Sequence, residues 1–126
     1  MTKDVVTVTP DCPIMEAMRL LVHHGLTGLP VVSGDGQLLG ILSEKDMLRL
    51  LYEKPVGDAS VEEFMTRDVV SFDENDNLID ICECLIANQF RRVPILSSGK
   101  LAGIISRGDI IRCILKARKA DAPPEG

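Results

Sequence analysis

The chain of 126 residues contains no tryptophan and a single tyrosine, Tyr52, and aromatic residues make up only 3% of it. That scarcity excludes the stacked aromatic platforms that bind single-stranded nucleic acid and the cages that hold quaternary ammonium groups. Positive charge is also short: 14 Lys and Arg against 19 Asp and Glu leave a net charge of −5. No basic field therefore draws the chain to nucleic acid or to an anionic membrane. The one basic run, Lys116, Arg118 and Lys119, reads as the solvated end of a helix, where cations suit the dipole. No apolar run approaches the ~20 residues that span a bilayer, and the first residues lack a signal-peptide core. Cys12, Cys82, Cys84 and Cys113 form no C-x-x-C pair, and His23 and His24 are adjacent instead of at ligand spacing. The cysteines read as free thiols in a reducing cytoplasm, the histidines as surface groups, and no metal site is expected. What remains is a globular composition, 45% hydrophobic and 26% charged, sized for one domain or two very small ones.

The chain is a tandem repeat. Residues 1–33 lie over 65–97 at an offset of 64, so that Met1-Thr2-Lys3-Asp4-Val5-Val6 recurs as Met65-Thr66-Arg67-Asp68-Val69-Val70. After a deletion of one residue the offset is 63, and seven of sixteen positions are identical between 36–51 and 99–114, against eight of thirty-three in the earlier block. The strongest similarity thus surrounds a Gly-x-x-Ser-x-x-Asp segment, Gly40 to Asp46 and Gly103 to Asp109. Residues 1–54 form the first repeat, 55–64 a linker and lead-in helix, 65–118 the second repeat, and 119–126 a tail. The first repeat shows no counterpart of the lead-in Val61–Met65, so either an upstream helix was trimmed or the chain is a fragment.

Each half reads strand, helix, strand, strand, helix. Val5–Val8 is a short β-rich run, and a helix follows with Pro13 in its first turn and Asp11 or Cys12 near the cap. Ile14, Ala17, Met18, Leu21 and Val22 make a one-sided stripe that recurs as Leu78, Ile81, Cys82, Leu85 and Ile86. Gly25 ends the first helix in a left-handed conformation. Leu29–Ser33 and Leu38–Leu42 form a hairpin, repeated by Val93–Leu96 and Leu101–Ile105, and Pro30 suggests an edge strand. The second helices start at Ser43 and Ser106. A half of about 50 residues is too small to bury its stripe alone. The expected fold is therefore α/β (α+β), two β-α-β-β-α repeats packed through their sheets about a pseudo-two-fold axis, with two equivalent clefts.

Two readings of the Ser-x-x-Asp turn stay open. As a capping box, Ser43 with Asp46 and Ser106 with Asp109 satisfy helix-end amides, although the third position usually holds Glu or Gln. As a ligand site, a helix N-terminus and a serine hydroxyl attract phosphate, and a carboxylate one turn in accepts a ribose diol. Gly40 and Gly103 let a backbone or a flat base approach closely. No nucleophile and base, and no paired carboxylates, suggest an enzyme.

Two such repeats in register, each with a hydrophobic-Pro strand (Leu29-Pro30, Val93-Pro94), resemble a pair of CBS (cystathionine-β-synthase) domains, a Bateman module, over roughly residues 1–118. The resemblance implies a regulatory module without catalytic activity or obligatory cofactor. It would bind AMP, ADP or ATP in the clefts between repeats, with S-adenosylmethionine or NAD as further ligands. It assigns ribose to Asp46 and Asp109 and phosphate to Ser43 and Ser106. It adds contacts from the ends of the first strands, here Val8 and Ser71, and from residues just ahead of the hydrophobic-Pro pair, here Thr27-Gly28 and Arg91-Arg92. Alternation along an extended segment predicts that one of Arg91 and Arg92 faces the cleft and neutralises phosphate, so the two clefts differ. A homodimer is implied too, through helix faces carrying Met47, Leu51, Ile110 and Ile114. The alternative is an interaction module with degenerate pockets, or a regulatory fragment of a larger enzyme or transporter.

Overall fold

The computed structural model describes residues 3–52 and 57–121, with the side chains of Leu51 and of residues 117–121 outside that description. Met1-Thr2, residues 53–56 with Pro55, the tail from 122, and the side chains of Arg118 and Lys119 therefore carry no structural account. The order is α1 (Ile14–His24), β1 (Gly28–Val32), β2 (Leu38–Ser43), α2 (Glu44–Leu48), β3 (Phe72–Asp73), α3 (Leu78–Ala87), β4 (Arg92–Ser97), β5 (Lys100–Ser106) and α4 (Arg107–Asp121). Short 3-10 turns follow α2 at Arg49–Leu51 and precede the second half at Val61–Glu63.

The repeat in the sequence becomes a repeat in register. β1 pairs antiparallel with β2, Leu29 opposite Leu42, and β4 with β5, Val93 opposite Ile105. Both hairpins slip register at the same place, between Val31 and Val32 and between Ile95 and Leu96. Such a bulge leaves one residue of the opposing strand, Leu39 or Ala102, outside the pairing. The expected first strand of each half is shorter than the β-rich runs suggest: β3 is two residues parallel to β4, and in the first half one Val8–Val31 bridge stands for it. This overturns the edge reading of Pro30. β1 lies between Val8 and β2, with the Val8 N–H donating to Pro30 O at 3.1 Å and Val32 N–H to Val8 O at 2.9 Å. The proline is tolerated because its missing N–H falls where the Val8 ladder has not yet begun.

The helix stripes are narrower than their sequence pattern. Ile14, Ala17 and Leu21, then Ile81 and Leu85, are buried, but Val22 and Ile86 are 78% and 69% exposed. Each half buries only the inner line of its helix, leaving an outer apolar line at Met15 and Val22 and at Ile79 and Ile86. Gly25 ends α1 at φ 62°, as expected, but Asp11 and Cys12 do not cap it. The Ile14 N–H donates instead to Ala59 O at 2.9 Å, and Asp11 accepts the Thr9 hydroxyl. Ala59 begins a segment that runs along the first half: Val61 N–H reaches Cys12 O and Glu62 N–H reaches Pro10 O, both at 2.9 Å. The side chains of Val61, Phe64 and Met65 then pack into the core of Ile14, Leu29, Val31 and Leu42. The second core, around Ile81, Leu85, Val93, Ile95, Ile105 and Ile110, lies within the second half. Of the residues expected on a dimer surface, Met47 and Ile110 are core, while Ile114 is exposed together with Ile111 and Leu115.

Candidate functional site

The Ser-x-x-Asp turns are capping boxes in both halves. Ser43 ends β2, and its N–H and hydroxyl both lie 2.9 Å from Asp46 Oδ2, while the Asp46 N–H donates to Ser43 Oγ at 3.2 Å. The same contacts at Ser106 and Asp109 measure 2.8, 3.0 and 3.1 Å. The first helical amides are taken as well, Glu44 N–H by Thr27 O and Arg107 N–H by Arg91 O, each at 3.1 Å. Phosphate binding at these helix starts therefore has fewer donors to use than the sequence suggests.

Beyond the cap the two aspartates differ. Asp46 is 6% exposed and also accepts the Thr66 hydroxyl, 3.1 and 3.2 Å from its two oxygens. Asp109 accepts Arg112 Nη2 at 2.5 Å. Partial burial raises the Asp109 carboxyl, but the Ser106 N–H, Arg112 and the Ser106 hydroxyl outweigh it and hold the group below the ordinary carboxylate value.

Thr66 reaches Asp46 because its backbone pairs with β2. Ile41 N–H donates to Thr66 O at 2.9 Å and Thr66 N–H to Ile41 O at 2.8 Å. Gly40 permits that approach: a Cβ there would lie 2.6 Å from Thr66 O and 3.2 Å from Met65 Sδ. The backbone that the Gly40 position admits is thus the chain's own.

Between the halves lies a cavity of about 400 Å³, within the range of small-molecule sites. Its apolar walls come from both hairpins, Leu29, Pro30 and Ile41 on one side and Val93, Pro94 and Ile104 on the other. Its polar groups are Thr27, Ser43, Thr66, Asp68, Gln89, Arg91 and Arg92. Arg92 Nη1 crosses between the halves to donate to Thr27 Oγ1 at 2.7 Å.

Of the residues expected at the site, Thr27, Gly28, Ser43, Arg91 and Arg92 line this cavity. Asp46 sits behind its wall, joined to it by Ser43 and Thr66. Ser106, Asp109 and Ser71 lie off the wall, and Val8, 5% exposed, belongs to the first core. Both Arg91 and Arg92 line the cavity, and the guanidinium that reaches across it is that of Arg92. Arg91 precedes β4, so strand alternation does not govern it. Thr66, Asp68, Gln89 and Phe90 were not anticipated. The repeat of Met1-Thr2-Lys3-Asp4 as Met65-Thr66-Arg67-Asp68 was the one signal pointing to the first two.

Elsewhere, no cluster of three or more metal-ligating side chains occurs among the described residues. Burial pushes the Cys12 thiol up, with Glu16 and Asp11 adding to it, which makes it a poor nucleophile. No helix among the described residues is long and apolar enough to cross a membrane.

Comparison with known proteins agrees with this architecture. The CBS domain family model matches residues 1–53 and again 61–116. The chain is 31% identical over 90% of its length to the uncharacterized protein MJ1225 of Methanocaldococcus jannaschii, and it spans 41% of that protein. Among solved structures, CBSX2 of Arabidopsis thaliana in complex with AMP superposes with a TM-score of 0.83 at 31% identity, covering 94% of both chains. The CBS domain pair of MJ0100 in complex with 5′-methylthioadenosine and S-adenosyl-L-methionine gives 0.75 at 27% identity, covering 90% of this chain and 93% of that one.

Proposed function

Because the chain belongs to the CBS domain family, as a tandem pair of repeats, we propose that it is a regulatory module that binds an adenosine-containing ligand in the cavity between its halves. The observation that carries this reading is the cavity itself. Aliphatic residues of two hairpins line it, which suits a purine base, and Arg91 and Arg92 also line it, which suits a phosphate. The AMP bound by CBSX2 supports the ligand class. In this reading Asp46 holds the ribose hydroxyls, which take over the hydrogen bond that Thr66 now makes. Asp109 and Ser106 serve an equivalent ligand in the other half. AMP, ADP and ATP fit the arginines better than S-adenosylmethionine does, because it carries no phosphate; NAD fits through its pyrophosphate.

The module acts by binding, with no metal or cofactor of its own and no catalysis. Asp46 and Asp109 are tied into helix caps, each with its serine hydroxyl and backbone N–H on one carboxylate oxygen. The free thiols suit a reducing compartment, the cytoplasm. A thermal-shift series tests the reading. A ligand at 100 times its Kd stabilises the folded state by about 2.7 kcal/mol, which is about 10 °C for a domain of this size. AMP is expected to give such a shift, with no ATP hydrolysis above background. No shift with AMP, ADP, ATP, S-adenosylmethionine or NAD sinks it.

Exposed helix faces favour self-association as a second role. Ile111, Ile114 and Leu115 on α4 are 57%, 47% and 63% exposed, and large apolar side chains exposed close together on one helix suit an interaction surface. We propose a homodimer through these faces. Sedimentation at tens of micromolar is expected to give twice 13.8 kDa, and a monomer mass there refutes it.

A further inference from the structure

Resting on that reading of the cavity, we infer that Arg107 is a positioning residue that gives the site its preference for phosphate-bearing ligands. Arg107 opens α4 and lies off the cavity wall. Its side chain reaches back across the hairpin to the turn that carries the cavity's charges. Nε donates to Phe90 O at 2.7 Å and Nη2 to Leu85 O at 3.3 Å, while its backbone N–H donates to Arg91 O at 3.1 Å. One residue thus holds three carbonyls, and two of them belong to residues that line the cavity.

The location makes physical sense. Leu85 belongs to the last turn of α3, whose final carbonyls have no partner inside the helix. A guanidinium there meets the negative end of the helix dipole. The turn needs such a hold because Gln89 adopts φ 57°, a left-handed conformation that a residue with a Cβ resists.

The first half lacks this device. Gly25 occupies the matching position and takes φ 62° freely. Residue 44, which matches Arg107, is a glutamate and has no side-chain proton to give a carbonyl. Only the backbone bond from Glu44 N–H to Thr27 O is kept. The arginine hold therefore occurs on the half whose turn carries Arg91 and Arg92, and not on the half whose turn carries Thr27 and Gly28. Arg92 ends up held twice, its backbone through this turn and its guanidinium by Thr27. Side chains aimed before a ligand arrives lose less freedom on binding, and a phosphate is the group they receive.

The test compares AMP with adenosine in the full chain. Arg107→Met keeps the bulk and removes the donors, and it is expected to weaken AMP three- to tenfold while adenosine stays within twofold. Those figures follow from re-ordering about one rotamer-rich side chain. Arg107→Lys is expected to fall between, because an ammonium is a single point donor. Added to a chain already carrying Arg91→Gln and Arg92→Gln, Arg107→Met is expected to cost AMP nothing further. Equal losses for both ligands, or unchanged AMP affinity, overturn the inference. Amide hydrogen exchange without ligand supplies a second readout: Arg107→Met is expected to speed exchange across residues 88–92 but not 25–28. Unchanged exchange overturns the hold itself. A wild-type chain that binds neither ligand sinks the functional reading, and the exchange result then decides the role of Arg107 alone.

Discussion

Arg92→Gln is expected to weaken AMP binding ten- to a hundredfold while adenosine binding changes little. Arg92 lines the cavity and extends its guanidinium across it, 2.7 Å from the Thr27 hydroxyl of the other half. A neutral hydroxyl is a weak partner for a guanidinium, so a phosphate oxygen displaces it at small cost. A hydrogen bond to a charged group contributes roughly 1.5–3 kcal/mol, and each 1.4 kcal/mol or so is tenfold in affinity. Glutamine is shorter, keeps a single NH2 donor group and carries no charge. The remaining AMP binding should therefore depend less on salt, since one screened contact is gone. Arg92 is exposed, so the melting temperature should stay near that of the wild type. Calorimetry with both ligands at two salt concentrations reads all of this. If AMP and adenosine lose affinity equally, Arg92 serves the structure and the phosphate assignment fails.

Gly40→Ala is expected to destabilise the fold by about 2–4 kcal/mol, or roughly 8–16 °C in melting temperature. The new Cβ would stand 2.6 Å from a backbone carbonyl, Thr66 O, and 3.2 Å from Met65 Sδ. The sulfur can move, but the carbonyl cannot move without breaking the paired bonds between Ile41 and Thr66. Losing them removes about 1 kcal/mol each, and the strain of overpacking adds about as much again. Thr66 would then leave Asp46, so a ribose bound through that carboxylate would no longer compete with the Thr66 hydroxyl and should not be weakened by that loss. Gly34→Ala is the control, because a Cβ there meets nothing within 4 Å. A Gly40→Ala melting curve indistinguishable from that of Gly34→Ala would show that the Thr66 segment is not held where the structure places it.

Features set by local chemistry were legible in the sequence. The offset of 64 and then 63 foretold paired halves, Gly25 the end of α1, and Ser43 and Ser106 the starts of their helices. The residues of the site were legible only in part. Ser43 was found through the repeated Ser-x-x-Asp turn, and Thr27 and the arginines through the resemblance to CBS domains. Thr66 was missed because its roles arise from partners far along the chain, Asp46 and Ile41, and no periodicity marks such a pairing. Phe90 and Gln89 lie on a turn whose conformation is imposed by Arg107, eighteen residues beyond Gln89. The capping reading and the ligand reading of the aspartates were posed as alternatives. The structure shows the first, and the second requires the ribose to compete with Thr66.

The first core is closed by Val61, Phe64 and Met65, side chains that lie beyond the first CBS match, residues 1–53. Repeat and folding unit therefore do not coincide. While the chain is being synthesised, a nascent first repeat has its hairpin and α1 but no cover for Ile14, Leu29 and Leu42. At roughly 5–20 residues per second, that apolar face waits about a second until Met65 is joined. A chaperone that recognises exposed aliphatic surface would find its target in that interval. A gene cut at the repeat boundary would make the interval permanent.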